Sequence, residues 1–202
     1  SRAVNVQLPD VVTEAGNAGG KPIVVACHTG QGAAYAVTAL RLSGYADAKS
    51  MKWGMSAWCQ EADVWSNYTG DAADGHANWT TDAVATPEDF APPEFTTTTM
   101  TDSATVLEER VSGMLAGGPG KLPNAMALAN PGAYQLNAYF PPDSVDKYGH
   151  FTGSYNMVGA GLNIGGGGLG HLDAGRTVVT YCWTGQMAAA VSAYLKVLGY
   201  DS

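Results

Sequence analysis

The chain has 202 residues, a formal net charge of -8 and a sequence pI near 4.7. Its ten Lys and Arg residues are scattered, so we expect no nucleic-acid partner, because phosphate recognition needs a cationic stripe. No apolar run approaches the roughly 18 to 20 residues of a membrane span, and we expect the chain to have none.

The first predicted elements surround a cysteine. Ile23–Ala26 is a short, continuous apolar run, which is typical of a strand buried on both faces of a parallel sheet. Cys27 follows it, and an Ala- and Leu-rich helix is predicted over Ala33–Leu42, with Gly44 in the left-handed position that ends a helix. Residues 48–58 (AKSMKWGMSAW) indicate a further strand and turn, so this length predicts a right-handed strand, helix, strand crossover.

A change of composition after residue 65 marks a linker. Residues 66–103 are rich in Thr, Asp, Ala and Pro, a composition that favours little regular structure. The sequence therefore predicts a first unit over 1–65, a linker over 66–103 and a second unit over 104–202.

The second unit carries a longer series of elements before its own cysteine. Thr105–Ala116 predicts an amphipathic helix, and the alternating Tyr134–Phe140 predicts a strand. A glycine-rich loop over Gly159–Gly170 comes next, and we expect it to be flexible rather than a phosphate loop, because no Gly-Lys-Ser/Thr follows it. The apolar strand Val178–Tyr181 then leads into Cys182.

The two cysteine segments form an internal repeat. Cys27–Tyr45 and Cys182–Tyr200 align without a gap, and nine of the 19 aligned residues are identical. The hexapeptide CHTGQG of the first unit corresponds to CWTGQM of the second, each between a strand and a helix. The pattern indicates a duplicated strand, loop and helix, with the first unit lacking an opening strand and the second lacking a last strand.

Several short motifs, taken in order, resemble one family. GHFTGSYNM, followed by a strand, the Cys182 loop and a helix ending in LGYDS, resembles the rhodanese-like domain, whose early segment usually reads Gly-His-Ile-Pro-Gly-Ala-x-Asn. The first unit, with AVNV, the Cys27 loop and KWGMSAW, resembles the second half of such a domain. The resemblance implies an α/β fold with a central parallel sheet flanked by helices, in a tandem arrangement similar to that of exported bacterial members.

The composition of the chain predicts its cellular location. Charged residues make up only 14% of the chain, while Gly, Thr and Ala are abundant, which is common in exported bacterial proteins. We therefore expect a periplasmic or extracellular protein, although no signal peptide is visible in the sequence.

The resemblance implies that Cys27 and Cys182 are the catalytic residues. In this family such a cysteine takes up sulfane sulfur as a persulfide and passes it to a thiophilic acceptor such as a thiol or cyanide. A loop between a strand and a helix suits this chemistry, because inward-pointing backbone N–H groups and the helix dipole stabilise an anionic sulfur. The predicted persulfide-binding loops consist of His28, Thr29, Gly30, Gln31 and Gly32 in the first unit and Trp183, Thr184, Gly185, Gln186 and Met187 in the second.

Individual roles are expected within these loops. Gly30 and Gly185 lack a Cβ, so the backbone can curl around the sulfur. The Thr hydroxyls are expected to donate a hydrogen bond to it, and the Gln side chains either to do the same or to rigidify the loop. Trp183 either shields the sulfur of Cys182 or forms a binding surface.

Neither loop contains the Arg or Lys that active members usually carry, so a dianionic donor such as thiosulfate has no local cation. Two hypotheses therefore stay open. In the first, the chain is a sulfurtransferase or sulfur carrier that uses a small sulfur donor and acceptor and needs no metal or cofactor. In the second, it is a catalytically weak or inactive exported module for binding or self-assembly into homo-oligomers, because an exposed sheet edge recruits strands. Cys59 has no loop signature and is interpreted as structural or as a partner for another thiol.

Overall fold

The computed structural model contains helices and short strands and describes residues 3–94, 102–162 and 167–202. The α-helices are α1 (Val11–Ala15), α2 (Gln31–Leu42), α3 (Ser103–Gly117), α4 (Asn124–Ala129), α5 (Pro142–Tyr148) and α6 (Gln186–Leu198). The strands are β1 (Val24–Val25), β2 (Lys49–Ser50), β3 (Trp79–Thr80), β4 (Gln135–Ala138), β5 (His150–Phe151) and β6 (Val178–Tyr181). None of the helices in these ranges is long and apolar enough to cross a membrane.

Parallel pairing occurs twice, in two separate places. Strand β1 pairs with β2 and β4 pairs with β6, both in parallel, while β3 and β5 pair antiparallel. Each of these sheets has two strands, and one parallel bridge between Asn137 and Tyr155 extends the β4 side. The predicted α/β class and parallel pairing are confirmed, but the strands of the described residues do not join into one central sheet. Among the described residues, β1 and β2 pair with each other alone, so this ladder does not continue to β4 and β6.

The first strand is shorter and more exposed than the sequence predicts. Val25 packs with Val37 and Leu40 of α2, so one face of the β1–β2 pair is covered. The other face lies open, and Val24 is 63% exposed. The prediction of a strand buried on both faces is therefore wrong here, because only one layer of helix covers this sheet.

The strand predicted over Tyr134–Phe140 is present as β4 and lies inside the core. Its residues Gln135, Leu136, Asn137 and Ala138 are all buried. The polar members are satisfied inside: the Asn137 amide donates to the Met157 carbonyl, and its oxygen accepts from the Met157 N–H. Buried polar side chains with complete hydrogen bonding keep this strand in the core.

Three helices from both predicted units share one core. Tyr35 and Ala39 of α2 pack with Met114 of α3 and Ala193 of α6. The Tyr35 hydroxyl lies 2.9 Å from the carbonyl oxygens of Met114 and Gly118 and donates to them, and burial raises the pKa of Tyr35 to about 12. The alanines allow α2 and α6 to approach closely, so the two repeats are packed against each other.

The predicted linker has little regular structure but is not separate from the second unit. Its strand β3 pairs with β5, and the Trp79 ring packs edge-on against Phe151 with centroids 5.1 Å apart. Further along, the Ala85 N–H donates to the Ser154 carbonyl at 3.0 Å. Residues 95–101 of this segment, and residues 163–166 of the glycine-rich loop, lie outside the described residues.

Candidate functional site

Both cysteine loops end in the same helix start. Gly30 and Gly185 have left-handed backbones, with φ of 84° and 72°, and α2 and α6 begin at the next residues, Gln31 and Gln186. The expected start at Ala33 is two residues late, because the glycine turn already directs Gln31 into the helix. A left-handed glycine turns the chain sharply enough for the first helical N–H groups to face back toward the cysteine.

The sulfur of Cys27 lies at the positive end of α2. It accepts hydrogen bonds from the Gly30 N–H at 3.1 Å and from the Ala33 N–H at 3.4 Å. A Cβ on Gly32 would lie 3.8 Å from this sulfur, so the loop fits closely around it. Two N–H donors and a helix N-terminus favour negative charge on the sulfur.

A later segment of the first unit braces the Cys27 loop from behind. The Met55 N–H donates to the Cys27 carbonyl, and the Ser56 N–H and hydroxyl both donate to the His28 carbonyl, each at 2.8 Å. A Cβ on Gly54 would lie only 2.2 Å from the Cys27 carbonyl oxygen. The preceding Trp53 adopts a positive φ of 65°, which is a strained conformation for a bulky residue. The sequence predicts a turn here but not its contact with the loop.

The sulfur of Cys182 has different surroundings. Within the described part of the chain, one backbone group donates to it, the Ala188 N–H at 3.4 Å. Cys182 packs against a buried cluster that includes Phe140 and Val145. This loop therefore offers fewer donors and a more apolar environment than the loop at Cys27.

Trp183 forms part of an aromatic group beside Cys182. Its ring lies edge-on to Phe140 and Tyr148, with centroids 5.0 and 4.9 Å apart, and the residue is 55% exposed. Tyr181, directly before the cysteine, packs against Phe140 as well, and burial raises the pKa of Tyr181 to about 12. The second loop is thus bordered by aromatic rings, while the Tyr181 hydroxyl forms hydrogen bonds with the Ser154 hydroxyl and with the Phe151 N–H.

The two loops contact each other through their glutamines. Gln31 Nε2 donates to the Thr184 carbonyl at 2.7 Å, and Gln186 Nε2 donates to the Thr29 carbonyl at 3.0 Å. The sequence predicts that each glutamine either binds the sulfur or rigidifies its own loop. Instead, each one spans to the loop of the other repeat, a contact that a linear sequence gives no means of finding.

Other predicted loop residues take smaller parts. The described structure contains no hydrogen bond from the Thr29 or Thr184 hydroxyl to a cysteine sulfur; the Thr184 hydroxyl accepts from the Gln186 N–H at 3.5 Å. His28 and Met187 have exposed side chains. Cys59, like the other two cysteines, is a free thiol and is partly buried.

One cationic side chain, that of Lys52, lies in a segment that contacts the Cys27 loop, although neither loop contains a Lys or Arg of its own. Lys52 belongs to the segment that braces the Cys27 loop, and its Nζ lies 5.3 Å from the centre of the Trp53 ring. No group of three or more His, Cys, Asp or Glu side chains within the described ranges is arranged to hold a metal ion.

Comparison with known families adds one finding. The family model of the rhodanese-like domain matches residues 1–61, which include Cys27, its loop and the bracing segment. No curated protein and no solved structure matches the chain. The match supports the resemblance for this part of the chain, while the likeness of the second repeat rests on the sequence and on the shared geometry of the two loops.

Proposed function

We propose, from the rhodanese-like residues 1–61, that this chain carries sulfane sulfur as a persulfide on Cys27 and passes it to a thiophilic acceptor. The observation that carries the proposal is the pair of backbone donors, Gly30 N–H and Ala33 N–H, on the Cys27 sulfur. Cys182, with one such donor, serves as a second and weaker carrier. We also propose that the protein is exported to the periplasm or the exterior of the cell, in line with its low content of charged residues.

The proposed transfer needs no external oxidant. The Cys27 thiolate attacks the sulfane sulfur of the donor, a new S–S bond forms, and the donor's bond to that sulfur breaks with its electron pair on the leaving group. Thiosulfate would release sulfite in this step. A nucleophile such as cyanide then attacks the outer sulfur, leaves as thiocyanate and returns the thiolate. The two N–H groups stabilise the anionic sulfur before and after each step.

The charge of the loop determines which donors are favoured. Neither loop contains Lys or Arg, so within the loops themselves a dianion such as thiosulfate is bound by backbone dipoles alone. A small alkyl persulfide carries less charge and needs no ion pair. We therefore propose that donors of low charge are used in preference to thiosulfate.

The test compares single cysteine variants with either donor. Cys27→Ser removes the sulfur nucleophile and leaves Cys182, whose sulfur has one N–H donor fewer. Because a hydrogen bond to a charged group is worth about 1.5–3 kcal/mol, thiocyanate formation should fall about tenfold or more. Cys182→Ser is expected to reduce it about twofold or less, and Cys59→Ser is the matched control. Mass spectrometry of the loaded protein should find one added sulfur mainly on the Cys27 peptide. Equal loading of the three cysteines, or none, would contradict the proposal.

A second candidate function is self-assembly through the first sheet. It is favoured by the β1–β2 sheet, which has two strands among the described residues, because its outer edges can pair with a strand from another copy. Val24 is 63% exposed on the open face of this sheet and adds apolar surface there. Light scattering of the unchanged protein and of Val24→Lys tests this: the change should lower the mean particle mass. A monomer in both cases would exclude this function without affecting the first.

A further inference from the structure

We infer that Gln186, in the second repeat, is a positioning residue for the sulfur site of Cys27 in the first. The inference deepens the proposed function in one respect, because the site it concerns is the proposed persulfide carrier. The geometric argument concerns the thiol itself and does not require that sulfur be bound.

One peptide unit connects the glutamine to the sulfur. The amide of Gln186 donates to the carbonyl of Thr29 at 3.0 Å, and the N–H of the same peptide unit belongs to Gly30. That N–H donates to the Cys27 sulfur at 3.1 Å. Since the peptide unit is planar, with its carbonyl and N–H on opposite edges, fixing the carbonyl also fixes the direction of the N–H. The two hydrogen bonds lie in series and polarise each other.

The space above Gly30 is occupied by the same side chain. A Cβ on Gly30 would lie 2.9 Å from both Cδ and Nε2 of Gln186, and φ at this glycine is 84°. The absence of a side chain therefore serves the glutamine of the other repeat as well as the turn. Both the backbone conformation and the close approach hold the peptide unit in one orientation.

Rigid elements keep this contact in place. Gln186 is the first residue of α6, and α6 packs on α2 through a core that includes Ala39 and Ala193. The side chain that orients the peptide is thus mounted on a helix packed directly against the one it serves. A positioning residue on a helix is held more accurately than one on a loop.

The mirror residue provides a control inside the same chain. Gln31 makes the equivalent bond to the Thr184 carbonyl at 2.7 Å, whose peptide unit ends in the Gly185 N–H. In the described structure the donor found on the Cys182 sulfur is the Ala188 N–H instead. The series of two hydrogen bonds is therefore complete for Cys27 and interrupted for Cys182.

The experiment compares Gln186→Met with Gln31→Met, which make the same chemical change in the two repeats. The alkylation rate of each cysteine by iodoacetamide at neutral pH is measured separately, peptide by peptide, without any sulfur donor. Gln186→Met should slow Cys27 about fivefold, the usual effect of one lost hydrogen bond, because the Gly30 N–H is no longer aligned. Gln31→Met should slow Cys27 clearly less than Gln186→Met does, because the Gln31 side-chain amide bonds to the Thr184 carbonyl and not to the Gly30 peptide unit.

An NMR measurement separates positioning from general destabilisation. The Gly30 amide resonance should move in Gln186→Met, while amides further along α2, such as that of Leu40, stay unchanged. In the unchanged protein, the Gln186 side-chain amide should show a scalar coupling through its hydrogen bond to Thr29, which keeps the test valid if a variant does not fold.

Three results would overturn the inference: equal effects of the two variants on Cys27, an equal effect of Gln186→Met on both cysteines, or no coupling in the unchanged protein. Failure of the proposed function would look different. In that case Cys27 would take up no sulfur from any donor, while the alkylation rates would still decide the role of Gln186.

Discussion

The loops at Cys27 and Cys182 share a hexapeptide pattern, a left-handed glycine and a helix that starts at glutamine, yet their sulfurs lie in different environments. An alanine N–H lies 3.4 Å from the sulfur in both. The first loop adds the Gly30 N–H and a backbone brace from the segment around Gly54, whereas the second adds aromatic rings. The motif determines the helix start, and the residues packed behind the loop determine how well an anionic sulfur is stabilised.

The brace at Gly54 gives the largest expected effect. Gly54→Ala would place a Cβ 2.2 Å from the Cys27 carbonyl oxygen and strain a backbone with φ of 61°. We expect a loss of about 3 kcal/mol in the free energy of unfolding, from strain and overpacking together. Urea denaturation measures the loss, and alkylation should show Cys27 more affected than Cys182.

Gly75→Ala is the matched control for that change. Gly75 has nearly the same φ, 65°, but a Cβ there would meet nothing within 4 Å. The cost should be about 1 kcal/mol, the strain of a left-handed residue alone. Equal losses in the free energy of unfolding for the two variants would show that Gly54 is not packed closely against the Cys27 loop.

Tyr35 distinguishes the two helices of the repeat, since its aligned position in α6 is Ala190. Tyr35→Phe removes a hydroxyl that donates to the Met114 and Gly118 carbonyls inside the core. The free energy of unfolding should fall by about 1 kcal/mol, the net value of a typical hydrogen bond, because the Met114 carbonyl keeps the Gly118 N–H and the Gly118 carbonyl keeps Lys196 Nζ. Tyr194→Phe makes the same change on α6, and a loss as large as that of Tyr35→Phe would argue against this account.

The same hydroxyl predicts a dependence on alkaline pH. The pKa of Tyr35 is raised to about 12 in the folded chain, against an ordinary value of 10.0. Because the unfolded chain loses this proton first, the stability contribution is complete below pH 10 and is lost as the pH rises towards 12. Urea midpoints measured across this interval should fall less steeply in Tyr35→Phe. If the urea midpoint falls equally steeply with pH in the unchanged protein and in Tyr35→Phe, the ionisation that destabilises the fold is not that of Tyr35.

Substitution of Trp183 has the smallest expected effect and tests whether its ring shields Cys182 in the second loop. Trp183→Ala removes two edge-on ring contacts, so we expect a loss of about 1 kcal/mol and alkylation of Cys182 about twofold faster. Cys27 should be unchanged. Trp58→Ala is the control, because Trp58 is 74% exposed. If both variants alter Cys182 alike, the aromatic border has no local role.

Local features of the repeat were predictable from the sequence. The helices after both cysteines, the left-handed Gly44 after α2 and the parallel pairing all follow from short-range patterns. The α3 helix is two residues longer at its start than predicted, because the Asp102 carboxylate caps it. Such signals lie within a few residues of the structure that they determine.

Features that depend on distant neighbours were not predictable in this way. The exposure of Val24 depends on which layers cover its sheet, and the burial of Gln135 depends on partners 36 and 38 residues away. In the site, Gly54 contacts the Cys27 loop, and the crossed glutamines, Gln31 and Gln186, each bond to the loop of the other repeat. Nothing in the sequence of one segment indicates that it contacts the other. Composition and periodicity report what a segment prefers, not which segment it will meet.

The crossed glutamines also affect how far the two copies of the repeat can diverge. A Cβ at either loop glycine would occupy the space of the other copy's amide, so a substitution in one copy would damage both. The pairs His28 with Trp183 and Gly32 with Met187 take no part in these bonds, and they are the positions where the hexapeptides differ. A duplicated segment that binds its own duplicate is constrained to keep its likeness where the copies touch.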